Sequence, residues 1–118
     1  MITRDDKVLI GEVRHAERWW SRLRGLLLRS PLRADASEAL LITPCASIHT
    51  CGMGYPIDVV FIDRQGTVLG CHEAVGPWRF RAQRRARSAL ELAAGGIRAR
   101  AIKPGDRLAW RPVAEPTA

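Results

Sequence analysis

The stretch from Ile57 to Ala74 constrains the fold more than any other. Val59-Val60-Phe61-Ile62 is a run of branched and aromatic residues that suits a pleated, buried surface. Asp63-Arg64-Gln65-Gly66 has the composition of a short hairpin turn, and Thr67 to Ala74 returns as the partner strand. A chain with this unit at its middle is organised around a sheet. One residue breaks the pattern: Asp58 puts a carboxylate inside an otherwise apolar strand, and a buried carboxylate must be partnered.

Other elements follow from periodicity. Residues 7–14 alternate weakly and predict an opening strand, and Glu38 to Ile42 predicts a buried one. Ala16, Trp19, Trp20, Leu23, Leu26 and Leu27 recur at spacings of three and four among arginines, which predicts an amphipathic helix over 16–29 ended by Ser30-Pro31. Residues 46–54 read as an extended segment loosened by Gly52 and Gly54. Gly76-Pro77-Trp78 interrupts the pattern, and Ala82, Ala86, Ala89, Leu90 and Ala93 predict a second, shorter helix over 81–92, stopped by Gly95-Gly96. Lys103-Pro104-Gly105-Asp106 is a turn before a last strand over 107–113, and the tail from Ala114 is expected to be disordered. Many short strands with two helices point to an α+β or mainly β domain. At 118 residues the chain is expected to be one domain, over 1–113.

No apolar run approaches the ~20 residues that span a bilayer. The charged N-terminus leads into only Val8-Leu9-Ile10, too short for an export signal, so a cytoplasmic location is expected. Cys45, Cys51 and Cys71 are then thiols, and an odd number argues against a complete disulfide framework. The net charge is +7, yet 17 of the 19 basic residues are arginines and asparagine is absent, a pattern that also fits a GC-rich genome. Weak, salt-sensitive binding to polyanions follows from that charge alone.

Three ordered motifs carry a resemblance over most of the chain. The first is Arg22-Leu23-Arg24-Gly25-Leu26-Leu27-Leu28-Arg29; the second is Met53 followed by Pro56-Ile57-Asp58-Val59-Val60-Phe61-Ile62-Asp63. The third is Leu90-Glu91-Leu92-Ala93-Ala94-Gly95 with Gly105-Asp106 before the closing strand. Together they resemble the domain-of-unknown-function family 192. Cys51-Gly52 stands where relatives often place an aromatic residue. The resemblance implies a small β-sandwich or partly open barrel flanked by two helices, and it brings no catalytic residue with it.

Four constellations bear on chemistry. In an extended segment Cys45, Ser47, His49, Cys51 and Met53 share one face, a soft donor row suited to copper or zinc. Ligands of one ion must converge, however, and strand neighbours at i and i+2 stand about 6.5 Å apart; half-buried apolar side chains are the simpler account. Cys45 or Cys51 beside His49 is a possible activated thiol, poorly oriented on one strand. Asp58, Asp63, Glu91 and Asp106 are the carboxylates of interest, with Asp58 expected to pair with an arginine such as Arg24 or Arg85, or to accept backbone amides. Last, Trp19-Trp20 and Trp78-Arg79-Phe80-Arg81 interleave rings and guanidinium groups, which can stack on single-stranded nucleic acid or a sugar; core packing with solvated arginines is the plain alternative.

The reading these support is a non-enzymatic module that binds a small molecule or a protein partner, with no metal and no cofactor. Its site would be a cleft edged by residues 47–58 and the Gly76-Pro77-Trp78 loop, with His49, Met53, Asp58 and Trp78 as binding residues. Met53 and Phe61 are expected to be buried and His49 to lie at the rim. The alternatives are a metal- or thiol-dependent protein using Cys45, His49, Cys51 and Met53, and an arginine-rich binder of anions or nucleic acid.

Overall fold

The computed structural model of the chain describes residues 1–16, 38–50 and 54–111. The described strands are β1 (Ile2–Arg4), β2 (Lys7–Ile10), β3 (Glu12–Ala16), β4 (Glu38–Ile42), β5 (Ser47–His49), β6 (Ile57–Ile62), β7 (Val68–Val75), β8 (Phe80–Ala82), β9 (Ser88–Ala93) and β10 (Leu108–Trp110). One short helix, α1 (Gly96–Ala99), lies between the last two. The strands form a five-stranded sheet in the order β3-β4-β9-β6-β7, a three-stranded sheet in the order β10-β1-β2, and a two-stranded ribbon of β5 and β8. The architecture is mainly β, with open sheets and no closed barrel among the described residues.

β6 is the organising strand, and all six of its residues are buried. It pairs antiparallel with β9 on one side and β7 on the other. Side chains alternate along it, so it feeds two cores. Val60 and Ile62 join Leu41, Leu90 and Leu92 in a cluster closed by Ile2, Ile10 and Leu108 of the three-stranded sheet and by Ile97 of α1. Ile57, Val59 and Phe61 join Leu40, Ile42 and Val75 on the opposite face, where Ile48 of the ribbon packs. The five-stranded sheet is thus a middle layer, with the ribbon on one side of it.

The hairpin is built as the residues suggest. The Asp63 carboxylate Oδ1 accepts the amides of Gln65 and Thr67, both at 2.9 Å, and the Gly66 amide donates to the Asp63 carbonyl. Gly66 sits at φ 87, and a Cβ there would collide with the Leu108 carbonyl oxygen.

The helix expected over 81–92 is not formed. This segment supplies β8 and β9, and β9 runs at the centre of the sheet between β4 and β6. A strand buried on both faces loses period-two alternation, and its alanines then mimic a helical stripe. Their smallness has a different cause: Ala89 lies opposite Phe61 and Ala93 opposite Ile57, each making room for a large neighbour. Gly95-Gly96 does not stop a helix but starts one, with Gly95 as N-cap at φ 93. The helix expected over 16–29 and the tail from Ala114 lie outside the described residues, apart from Ala16, which ends β3.

Candidate functional site

The ribbon lifts a group of rings away from the sheet. In its register His49 faces Phe80, Ile48 faces Arg81 and Ser47 faces Ala82. Ile48 points inward and is buried, while His49 and Phe80 alternate with it and point outward. Phe80 is 62% exposed and Trp78, in the turn before it, is 71% exposed. Most other large apolar side chains of the described residues are buried, with Val8 and Trp110 the further exposed ones, and Trp78 and Phe80 are the two that lie close together in the chain.

Thr50 fixes the turn. It is fully buried, and its hydroxyl donates to the Gly76 carbonyl at 2.6 Å while accepting the Arg79 amide at 2.8 Å. Its own amide donates to the Arg79 carbonyl, and its carbonyl accepts the Trp78 amide. Every chain polar group of Thr50 is therefore spent on residues 76–79. Trp78 itself is held at φ 61, a left-handed conformation that is strained for a residue with a Cβ. The turn keeps a bulky ring in an unfavourable backbone state and in water.

Beneath the ribbon, β7 is cut away to receive it. A Cβ on Gly70 would sit 2.6 Å from Gln83 Oε1, and the Gln83 amide donates to the Ala46 carbonyl. His72 lies on the same face of β7, edge-on to Phe61 at 5.6 Å. Burial, and then the Arg81 guanidinium, push its imidazole below the usual histidine range, which favours the neutral ring. Outside the ribbon, Arg79 and Arg84 are exposed and form no ion pair with a described residue.

The four residues named from sequence part company. His49 is exposed at the ribbon's edge, and Trp78 is tied through its amide to the carbonyl of Thr50, the next residue after His49. Met53 lies outside the described residues, as does Cys51 of the proposed donor row. Asp58 is fully buried: Oδ1 accepts the Ala74 amide at 2.8 Å, and Oδ2 accepts the Gly95 and Ile97 amides at 3.1 and 2.9 Å. Of the two kinds of partner the sequence suggests for it, backbone amides and not an arginine take its charge among the described residues. The reason is local. The ladder between β6 and β7 slips between Ile57 and Val59, leaving Ala74 at φ 49 with its amide turned from the ladder. Asp58 receives that amide and also the start of α1.

The thiol and metal readings gain little geometry. Cys45 Sγ donates to the Ser47 carbonyl at 2.9 Å. Burial pushes the Cys71 thiol up to about 11, with Asp106, Glu73 and Asp58 adding to the shift, so Cys71 is a poor thiolate at neutral pH. Among the described residues no group of three His, Cys, Asp or Glu side chains is placed to hold a metal ion. Sequence reasoning missed Thr50, because a single threonine in a connector carries no signal before its partners are known.

Comparison with known proteins agrees with the fold. The profile of domain-of-unknown-function family 192 (DUF192, an uncharacterized ACR) matches residues 1–110, and the chain belongs to that family. A crystal structure of a protein of unknown function from Novosphingobium aromaticivorans superposes with a TM-score of 0.74 at 21% identity, covering 83% of this chain and 74% of that one. A protein from Sinorhizobium meliloti, provisionally described as a transcription regulator, superposes with a TM-score of 0.73 at 26% identity, covering 82% of this chain and 79% of that one. No curated protein matches the chain. No helix among the described residues is long and apolar enough to cross a membrane.

Proposed function

We propose that the chain is a non-enzymatic binding module, a single folding unit whose docking surface is the ribbon of β5 and β8. The observation that carries this reading is the exposure of Trp78 and Phe80 on a turn that Thr50 holds rigid. A preorganised ring loses little conformational entropy on binding, which is why rigid aromatics anchor interfaces. His49 completes the outward face, opposite Phe80. Asp58 supports the site at a distance by fixing the end of β7, which leads directly into the turn.

The partner that fits is a single-stranded nucleic acid. Flat rings interleaved with unpaired arginines are the combination that stacks bases and tracks a phosphate backbone. The net charge of +7 favours an anionic chain over an apolar one. The provisional description of the Sinorhizobium relative points the same way.

The test is a fluorescence-anisotropy titration of labelled dT15 at 150 mM salt. Binding should be lost, by about tenfold or more for each stacked ring removed, in Trp78→Ala and Phe80→Ala. Arg98→Gln, a charge change beside α1, should weaken it by much less. Equal losses in all three variants would reduce the interaction to general electrostatics. An acidic protein partner would appear instead as rings that matter in cells while dT15 fails to bind.

A further inference from the structure

A second concave site lies apart from the rings. Arg64 in the β6–β7 turn, with Arg85 and Arg87 in the β8–β9 connection, lines a cleft of about 690 Å³ floored by Pro44, Cys45 and Ala46. All three arginines are exposed, and none forms an ion pair or side-chain hydrogen bond with a described residue. The one carboxylate in the lining, Asp63, spends Oδ1 on the Gln65 and Thr67 amides of its own turn. The cleft therefore holds three guanidinium groups against one carboxylate.

Its frame is rigid although its charged tips are free. The Arg87 amide donates to the Ile62 carbonyl at 2.8 Å, and the Arg87 carbonyl accepts the Cys45 amide at 2.9 Å. The Ala86 amide donates to the Gln83 carbonyl, closing the loop around Arg85, which is held at φ 68. A left-handed arginine on a pinned loop is an outlier that needs a reason. Three like charges on such a frame repel one another unless an anion sits between them.

We infer that this cleft is a binding site for a phosphate group carrying two or more negative charges. Guanidinium forks match phosphate oxygens two at a time, which a cluster of ammonium groups does not. An adjoining groove of about 330 Å³ shares Asp63, Arg64, Gln65 and Arg87 with the cleft and is lined beyond them by Ile2, Leu41, Ile62, Leu108 and Trp110. That groove gives the apolar body of a phosphate ester a place beside its head. The same chemistry is offered by a soluble phosphate ester and by a lipid phosphate.

Calorimetric titration of the full chain with inorganic pyrophosphate tests the site. One equivalent should bind at 150 mM salt, and Arg85→Gln or Arg87→Gln should each weaken it about tenfold, the loss of one charge-assisted pair. Arg107→Gln removes the same charge away from the cleft and should leave the affinity within about twofold. Trp78→Ala should leave it unchanged, so the cleft stands or falls independently of the ribbon. Phosphatidic acid vesicles form the second arm: binding to them that Arg87→Gln abolishes, without pyrophosphate binding, assigns the head to a lipid. Saturable binding in neither arm, or an equal loss in Arg107→Gln, overturns the proposal. Circular dichroism of each variant confirms that it is folded.

Discussion

Asp58 shows how one buried charge can be structural. Three backbone amides converge on its carboxylate, from a bulge in β7 and from the start of α1. Asp58→Ala leaves those donors buried and unsatisfied, which should cost roughly 3–5 kcal/mol. Asp58→Asn keeps one carbonyl oxygen but presents an amide to the remaining donors, and should also destabilise. Thermal melts check this: unchanged melting in either variant would show that the carboxylate is not holding the fold. The need for a partner at Asp58 was legible in the sequence, because a carboxylate between Ile57 and Val59 has no other way to be buried. The identity of the partner was not, because the bulge that frees the Ala74 amide arises from strand pairing.

Glu91 is the opposite case. It sits in the middle of the sheet, facing Leu40 on one side and Val59 on the other, and is 7% exposed. Burial pushes its carboxyl up to about 7. The native state then holds the proton more tightly than the unfolded chain, whose ordinary value is 4.5. Stability is full below that value and declines as pH rises from about 4.5 to 7, by about 3 kcal/mol in all. Glu91→Gln should flatten this slope and melt higher than the parent at pH 8. Denaturant midpoints between pH 4 and pH 8 are the measurement, and an unchanged slope in Glu91→Gln would assign the dependence to another group.

Elements were legible where one signal dominated. β4 spans Glu38–Ile42 as the apolar run indicates, and the hairpin of β6 and β7 follows from a branched strand and a turn rich in Asp and Gly. Residues 81–92 misled because alanine is small for two reasons, helix propensity and room for a neighbour, and only pairing with Phe61 and Ile57 reveals the second. The ribbon and its turn form a unit of the same kind, since Thr50 joins segments 26 residues apart. Thr50→Val conserves shape but removes the hydroxyl, leaving the Arg79 amide without its acceptor and the Gly76 carbonyl without its donor. It should cost about 1–3 kcal/mol and loosen the turn. Hydrogen exchange would locate the effect, with faster exchange confined to residues 76–80. Uniform acceleration across the sheet would mean that Thr50 supports the whole fold and not the turn.

At the scale of the molecule, the five-stranded sheet carries a core on each face. One core is closed by the three-stranded sheet and α1, and the other receives the ribbon. This layering separates the two proposed sites. The exposed rings stand on the ribbon and its turn, while the arginine cleft opens where the β6–β7 turn meets the β8–β9 connection. The basic composition predicts anion affinity but not where it would sit, because a charge count carries no positions. Which residues share a surface was not legible for the same reason: His49 and Phe80 face each other through the register of β5 and β8, which no spacing in the sequence encodes. The proposed function requires Trp78, Phe80 and His49 to act as one stacking surface. Amide and indole chemical-shift mapping with unlabelled dT15 tests it most directly. Saturable shifts are expected at the Trp78 indole and at the amides of residues 48–50 and 78–82, surviving at 150 mM salt. Shifts scattered over the arginines and erased by that salt, with the Trp78 indole unmoved, would contradict it.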